Sequence, residues 1–440
     1  MSKTTAAASM ISLFLAGWGF AAVQEQPGLP FSWERFTLKN GLEIVLSDDD
    51  TLPVVSVVLA YQAGPIQEQP GKTGLALLLE NIMFMGSINV GPMQHISYIN
   101  RVGGELNATT TEDIVYFLQT VPSNHLSLAL WLESDRMKAL EIDAAKVERA
   151  RQSQLDEIAR RKASELYLDS QLAFDRVLYP DFAHGHGSLG REEDIRRLDV
   201  RTFYATHYVP NNAALIVVGS IDLARTREWV EKYFETIAPG RKLPLFLPPR
   251  PPEKKEVIQS FVDARVPSPA FHLGFRIAPP FSRDHYALVI LDYLLFKGKS
   301  ARLSRKLVRK EGLALYLSGG VEKRKDVAVL KLFAMNNNET MVELCQKSIM
   351  SEFNKLRAGD VSAEDLARAK SLFKRDFFNR LASPAERAML LAEMVFSPVG
   401  LDGLALELPR HMRITPFEIR TVVDRYLVPE SSVILNVKRK

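Results

Sequence analysis

A proline-rich, basic segment, residues 239–253, divides the 440-residue chain into two parts and constrains the fold more than any other feature. Such a segment is an extended, stiff connector. The same order of elements is predicted on both sides, with two strands, then helices, then a closing strand. The predicted strands are 43–46, 54–60 and 214–218 before the connector and 257–261, 270–275 and 432–437 after it, and the clearest helices are 144–166 and 283–295. The sequence therefore predicts an α+β fold made of two duplicated halves.

The first residues are predicted to be a targeting segment. Lys3 is followed by an apolar and small-residue run over 6–22, which is typical of a secretory signal peptide over residues 1–24. This predicts a periplasmic or secreted bacterial protein, with an uncleaved membrane anchor as the alternative. The predicted domains are then residues 31–238 and 254–440, with the linker over 239–253.

Composition narrows the class of protein. A chain of 440 residues is too long to fold around a single hydrophobic core. A content of 46% hydrophobic and 25% charged residues is typical of globular proteins. The net charge of +4 indicates no nucleic-acid partner. After the N-terminus no apolar stretch is long enough to span a membrane, so no transmembrane segment is predicted in the mature chain. The single cysteine, Cys345, cannot form an internal disulfide and is predicted to be buried on a helix.

Residues 74–87 carry the strongest functional signal. On a helix, positions 77 and 81 are four residues apart on one face, where two histidines could bind one metal ion. The chain has Leu77 and Asn81 there. Leucine offers no lone pair and asparagine only an amide oxygen, which suits zinc poorly. Glu80, in the place of a general base, would have no metal-bound water to activate.

Around these positions Gly74, Ala76, Phe84, Gly86 and Ser87 form a frame. The frame resembles the zinc-binding helix of the insulinase/pitrilysin family, in which H-x-x-E-H lies within G-x-A-H-x-x-E-H-x-x-F-x-G-T. Four more stretches resemble family segments in family order: 103–117, 147–158, 179–188 and 207–222. The resemblance implies halves of the processing-peptidase type, an α/β sandwich each, and a chamber that two chains or two fused copies enclose. It also implies that this member is ligand-poor, holds no zinc itself and keeps Glu80 as a vestige.

The resemblance assigns further residues. The third zinc ligand of the family falls on Glu157, 157 − 81 = 76 residues beyond Asn81, and a second family glutamate falls on Ala150. Because arginines such as Arg161 follow, Glu157 is expected to form a salt bridge or to face solvent. Asn107 and Ala108 lie on a strand that, by the resemblance, is a sheet edge that pairs with the substrate backbone.

In the second half, residues 300–316 resemble a segment that in active relatives supplies an arginine and a tyrosine, seven residues apart, to the opposing half. Arg309 and Tyr316 keep this spacing but are displaced by one residue from the family positions, which fall on Val308 and Leu315. On a strand, one residue of displacement turns a side chain to the opposite face. Arg309 and Tyr316 are therefore candidate substrate-binding residues, or else a surface charge and a packed aromatic side chain.

His184 and His186 form the other histidine pair. They are two residues apart in a glycine-rich loop, and no acidic or cysteine partner is expected near them, so they are predicted to be loop residues and not a metal site.

Three functions are consistent with these patterns. The first is a non-catalytic subunit of a heteromeric zinc peptidase, in which a homologous partner with an intact H-x-x-E-H holds the zinc and this chain binds extended peptide. The second is a structural or peptide-binding module without proteolysis. The third is an active zinc endopeptidase that uses an unrecognised site.

Overall fold

We describe the protein from a computed structural model, which covers residues 29–179, 181–196, 199–243 and 255–440. The predicted signal peptide, residues 1–24, and residues 244–253 of the predicted linker lie outside the described residues.

Eleven strands in the described ranges form two mixed sheets. They are β1 Glu34–Thr37, β2 Glu43–Asp48, β3 Val54–Tyr61, β4 Glu105–Thr110, β5 Val115–Pro122, β6 Ala213–Gly219, β7 Val257–Val262, β8 Ala270–Ile277, β9 Tyr316–Arg324, β10 Val327–Met335 and β11 Ser432–Lys438. The N-terminal sheet has the order β1-β2-β6-β3-β5-β4, and the C-terminal sheet has the order β7-β11-β8-β10-β9. Beyond β1, the two orders are the same, and each sheet has one parallel pair, β2 with β6 and β7 with β11. The predicted α+β class and its duplication are confirmed.

Fifteen helices accompany these sheets in the described ranges. They are α1 Leu75–Ile82, α2 Gln94–Arg101, α3 Leu126–Ala139, α4 Ala144–Ser164, α5 Leu168–Leu178, α6 Phe182–Gly185, α7 Glu192–Ile195, α8 Val200–His207, α9 Leu223–Phe234, α10 Arg283–Leu295, α11 Glu339–Arg357, α12 Ala363–Ala382, α13 Pro384–Phe396, α14 Leu404–Met412 and α15 Pro416–Tyr426. A π-helical segment, Ser304–Lys310, precedes β9. The structure confirms the helix predicted over 283–295 and, apart from its last two residues, the one predicted over 144–166.

Strand β6 shows why the central strands are continuously apolar. All seven of its residues are buried. Leu215 and Val217 face the core under the helices of the N-terminal half, whereas Ala214, Ile216 and Val218 face a second core that includes α13. A strand covered on both faces needs apolar side chains at every position.

One helix of each half packs on the sheet of the other half. Helix α13, from the C-terminal half, packs on β3 and β6, and α5, from the N-terminal half, packs on β8 and β11. On α5, Phe174 and Leu178 are buried against the C-terminal sheet. A Cβ at Gly274 of β8 would lie 2.7 Å from Leu178 Cδ1, so glycine permits this close approach. The two halves therefore share apolar cores.

Two further predictions concern single features. Cys345 is buried on α11, as predicted. Among the described residues no single helix is long and apolar enough to cross a membrane, and one pair, Pro384–Phe396 with Leu401–Met412, reaches that length and composition only across a bend of 117°.

Candidate functional site: a degenerate metal centre beside a free strand edge

Helix α1, which carries the frame residues, is fixed at its N-terminus by a buried carboxylate. The backbone N–H groups of Gly74 and Ala76 donate to Glu68 at 2.7 and 2.8 Å. A carboxylate at this end satisfies free N–H groups and interacts well with the helix dipole. Nε2 of His186 lies 3.0 Å from the same carboxylate. The start of α1 is therefore held by an acid–histidine pair.

The loop before α7 packs tightly against the residue that begins α1. Gly190 lies so close that a Cβ on it would be 2.5 Å from the Cα of Gly74. Asp194 accepts the Thr73 hydroxyl at 2.7 Å, and the same hydroxyl oxygen accepts the backbone N–H of Arg191 at 2.8 Å. These contacts orient α1 independently of any metal ion.

Glu80 lies half-buried on α1 and accepts a hydrogen bond from the Thr110 hydroxyl of β4 at 2.5 Å. Burial raises the pKa of Glu80, the Thr110 hydrogen bond opposes that shift, and the negative charge of Glu157 adds to it. Glu80 and Glu157 thus share one electrostatic environment, as two residues of a former metal centre would.

The two positions that should supply imidazole nitrogens do not suit a metal ion. Leu77 is half-buried and packs against the N-terminal core. Asn81 is also half-buried, and its amide nitrogen is buried without a hydrogen-bond partner. Over the described ranges no group of three or more His, Cys, Asp or Glu side chains could hold a metal ion. Zinc, which the family resemblance implies, therefore does not fit this set of residues.

Glu157, the residue at the position of the third family ligand, forms no ion pair within the described residues. It is half-buried on α4, and within the described part of the chain no basic group lies within 4.0 Å of it. Arg161 forms its ion pair with Glu165 instead, at 2.7 Å. Of the two expected outcomes, a salt bridge or a side chain that faces solvent, the described residues show no ion pair and a partly exposed side chain, because Glu165, four residues beyond Arg161, forms the ion pair with that arginine. Ala150 is fully buried in the core.

Strand β4 is an edge of the N-terminal sheet, beside Glu80. Its residues alternate between exposed and half-buried, with Asn107 exposed and Ala108 packed against the core. Only β5 pairs with it among the described strands, so its outer backbone groups are free to pair with another chain. Asn107 and Ala108 stay predicted substrate-binding residues.

Arg309 and Tyr316 belong to the other sheet. Tyr316 is the first residue of β9, 53% exposed, with its ring 6.3 Å from that of Phe333. Arg309 is exposed and lies in the π-helical segment. Because it is not on a strand, a displacement by one residue does not turn its side chain to the opposite face of a sheet. At their family positions Val308 is half-buried and Leu315 is 48% exposed. The contact of Arg309 and Tyr316 with substrate stays a prediction.

Within one chain, Tyr316 also lies far in space from Glu80. The far end of β9 meets the turn after β4, where Arg324 lies 3.5 Å from Glu112. At about 3.3 Å per residue, Tyr316 is roughly 20 Å along the strand from Glu322, beside that junction. The structure brings together Leu77, Glu80, Asn81, Glu157 and Thr110, and leaves Arg309 and Tyr316 outside this group.

The prediction that His184 and His186 lack acidic partners is wrong. Nδ1 of His184 lies 2.7 Å from Asp181, and His186 lies against Glu68. Glu68 is 118 residues away in sequence, so no local pattern could reveal it. The prediction that this pair is not a metal site stays a prediction.

Sequence reasoning also missed the polar junction of the two halves. Tyr179 donates to Glu322 at 2.6 Å, and the guanidinium of Arg324 lies 3.8 Å from the centre of the Tyr179 ring. Lys331 pairs with Glu322 at 2.5 Å and with Asp175 at 3.1 Å. The contacts of Tyr179 and Asp175 join α5 and its following residue to the C-terminal sheet, and the pair of Lys331 with Glu322 links β10 to β9 within that sheet.

Comparison with known proteins agrees with this geometry. The model described as Insulinase (Peptidase family M16) matches residues 43–184, and that described as Peptidase M16 inactive domain matches residues 194–373. The chain is 28% identical over 383 residues to the zinc protease PqqE of Helicobacter pylori, covering 85% of each chain.

Solved structures show the same architecture. That of a protease from Helicobacter pylori has a TM-score of 0.85 and 26% identity, over 92% of this chain and 99% of that chain. The periplasmic protease PqqL from Escherichia coli has a TM-score of 0.74 and 16% identity, over 95% of this chain and 48% of that chain. The fold and the site define a two-domain peptidase homologue whose metal centre is degenerate. The chain belongs to the insulinase family of peptidases, family M16.

Proposed function

We propose that this chain is a non-catalytic subunit of a heteromeric zinc peptidase. The observation that carries the proposal is that Leu77 and Asn81 stand where zinc needs imidazoles, while the scaffold around them is intact. Glu80 is still held by Thr110, and α1 is still capped by Glu68. A site that loses its ligands but keeps its framework can still shape a peptide-binding surface.

Strand β4 is the proposed peptide-binding element. An extended peptide adds a strand to a free edge through backbone hydrogen bonds, and the side chains beside it set specificity. Asn107 and Ala108 lie on that edge, and Arg309 and Tyr316 would contact substrate from the C-terminal half. The substrate class is therefore extended or unfolded peptide.

The proposed partner is a homologous subunit with an intact H-x-x-E-H, which supplies the zinc, so this chain needs no cofactor. In support, this chain spans only 48% of the PqqL chain, which leaves room there for a second unit of similar size. We also propose that the complex works in the periplasm or outside the cell. The similarity to the periplasmic protease PqqL and the targeting pattern of residues 1–24 support this location.

The proposal is tested by zinc analysis and reconstitution. The purified chain should contain almost no zinc by elemental mass spectrometry. Co-expression with a zinc-bearing relative from the same cell should give a stable complex that cleaves a fluorogenic extended peptide. Glu80→Gln in this chain should leave cleavage unchanged, whereas the same change in the zinc helix of the partner should abolish it.

Other results point elsewhere. About one zinc per chain, or loss of cleavage with Glu80→Gln, would identify this chain as the catalyst. A complex that binds peptide and cleaves none would identify the structural or peptide-binding module.

A further inference from the structure

A cavity of about 310 Å³ lies inside the C-terminal half, away from α1. Helices α10, α12, α13 and α14 and strand β9 enclose it. Its volume is at the lower end of the range for small-molecule sites. Nothing in the proposed peptidase role uses this cavity.

One wall of the cavity has a buried carboxylate with an unused oxygen. Asp292 of α10 is 6% exposed, and its Oδ1 has no hydrogen-bond partner. Its other oxygen, Oδ2, lies 3.6 Å from Lys297 Nζ. Burial raises the pKa of Asp292 to about 6, although Lys297 and the backbone N–H of Val321 act against that shift. A buried acceptor without a donor costs free energy, which a bound donor would recover.

A second unused acceptor lines the same cavity. Nδ1 of His411 lies 2.6 Å from the carbonyl oxygen of Glu407, so Nδ1 carries the hydrogen and Nε2 carries a lone pair. His411 is 2% exposed, and its Nε2 has no hydrogen-bond partner. Burial lowers the pKa of His411 to about 4, so the ring is neutral at pH 7 and accepts at Nε2.

The lining as a whole is aromatic and has one more carboxylate than basic groups. The aromatic side chains are Phe281, Tyr286, Tyr293, Phe373 and Phe377, the carboxylates are Asp292, Asp376, Glu393 and Glu407, and the basic groups are Lys297, Lys323 and Arg380. Each basic group is already paired, Lys297 with Asp292 and the other two with Glu393. Glu407 accepts only the Tyr286 hydroxyl, at 3.3 Å, among its described side-chain contacts, and burial raises its pKa.

We propose that this cavity binds a small organic cation, an ammonium group on an aromatic or apolar body. The ammonium would donate to the free acceptors of Asp292 and His411, and the aromatic walls would hold the body and attract the charge. A metal ion is not favoured, because the described residues contain no group of three His, Cys, Asp or Glu side chains able to hold one. The same chemistry could come from a free amine or from the N-terminus of a short peptide.

Calorimetric titration of the intact chain with phenethylamine tests the proposal. We expect saturable binding that is at least about tenfold tighter than that of 2-phenylethanol, the neutral analogue of similar shape. Absence of saturable amine binding, or equal affinity for the alcohol, would overturn the proposal. A tripeptide amide with a free N-terminal phenylalanine distinguishes the two sources of the ammonium group. If it binds, the ligand class includes the N-termini of short peptides; if it does not bind, the site is restricted to free amines.

Two variants localise the binding. Asp292→Asn should weaken phenethylamine binding at least about tenfold and remove the preference over the alcohol. Asp284→Asn is the matched control, because Asp284 lies on the same helix but pairs with Arg425 and does not line the cavity. If Asp292→Asn fails to fold by circular dichroism, His411→Phe takes its place, because it removes the other proposed acceptor and should also weaken phenethylamine binding at least about tenfold. A folded variant of either kind that binds as the parent does would contradict the site.

Discussion

His186 and Glu68 join the loop after α5 to the start of α1, with Nε2 and Oε2 3.0 Å apart. Nδ1 of His186 lies 2.9 Å from the carbonyl oxygen of Phe182, so both ring nitrogens face acceptors and the charged imidazolium satisfies both. Burial lowers the pKa of His186, but the hydrogen bonds to Glu68 and Phe182 outweigh burial and raise the pKa above its usual value. An acid–histidine pair therefore holds the helix that lacks its metal ligands.

His186→Gln should destabilise the protein in a pH-dependent way. A histidine whose pKa is raised on folding adds stability that is complete below its unfolded value of 6.5 and is lost as pH rises through the folded value. We expect the variant to lose about 1.5–3 kcal/mol in acid, and less in alkali. Urea unfolding at a series of pH values measures this. His125→Gln, at a half-buried histidine outside this contact, is the control, and a loss that is the same at every pH would contradict the prediction.

Glu80→Gln should have the opposite pH signature. Because burial raises the pKa of Glu80, its ionisation opposes folding as pH rises above the unfolded value of 4.5. At neutral pH the variant should therefore be as stable as the parent or more stable, by up to about 1 kcal/mol. The difference should disappear below pH 4.5. Glu157→Gln removes a like charge near Glu80, so it should lower the pKa of Glu80 and move this pH dependence of stability to lower pH. A Glu80→Gln variant that is less stable than the parent at neutral pH would show that Glu80 has a stabilising partner.

Restoring two histidines should restore the metal centre. In Leu77→His with Asn81→His, both imidazoles stand on the face of α1 that carries Glu80, and Glu157 supplies the third ligand. We expect zinc content to rise from near zero to about one per chain, measured by elemental mass spectrometry after dialysis. Leu77→His alone, with one imidazole, should bind weakly. No zinc in the double variant would mean that the scaffold, and not only the ligands, has changed.

Local patterns predicted much of this fold. The run in β6 is continuously apolar because both its faces are covered, and α10 has the bounds that its sequence predicted. The duplication was visible because corresponding strands recur in the same order on both sides of the linker. The frame around Glu80 survived the loss of its histidines, so it still identified the site.

Long-range partners could not be predicted in the same way. Glu68 and His186 are 118 residues apart, and only the folded chain brings them together at α1. Arg324 meets Glu112 across the two halves, although neither is unusual in its own segment. The sequence left open whether Glu157 forms a salt bridge or faces solvent, because Glu157 and Glu165 are both four residues from Arg161 and spacing on a helix does not rank two acceptors for one donor.

Arg324→Met should test the junction of the two halves. The guanidinium is 4% exposed, pairs with Glu322 at 2.8 Å and lies 3.5 Å from Glu112. Its removal leaves the half-buried Glu112 without a basic partner among the described residues, whereas Glu322 keeps Lys331, so we expect a loss of about 1–3 kcal/mol in the free energy of unfolding. Chemical denaturation measures this, with Arg420→Met, an exposed arginine on α15, as the control that should change little. A loss as small as that of the control would contradict the role of Arg324 at this junction.

Single proline substitutions at two adjacent positions of β4 should distinguish an effect on peptide binding from an effect on folding. In an edge strand, backbone N–H groups point alternately to the neighbouring strand and to solvent, so Asn107→Pro and Ala108→Pro remove groups of opposite orientation. The variant that loses the outward N–H should keep most of its stability and lose binding of an extended peptide, measured by fluorescence anisotropy. The other should lose a bond to β5 and be destabilised, by about 1 kcal/mol or more. If the stable variant binds peptide as the parent does, the substrate does not pair with β4 and must be held elsewhere in the chamber.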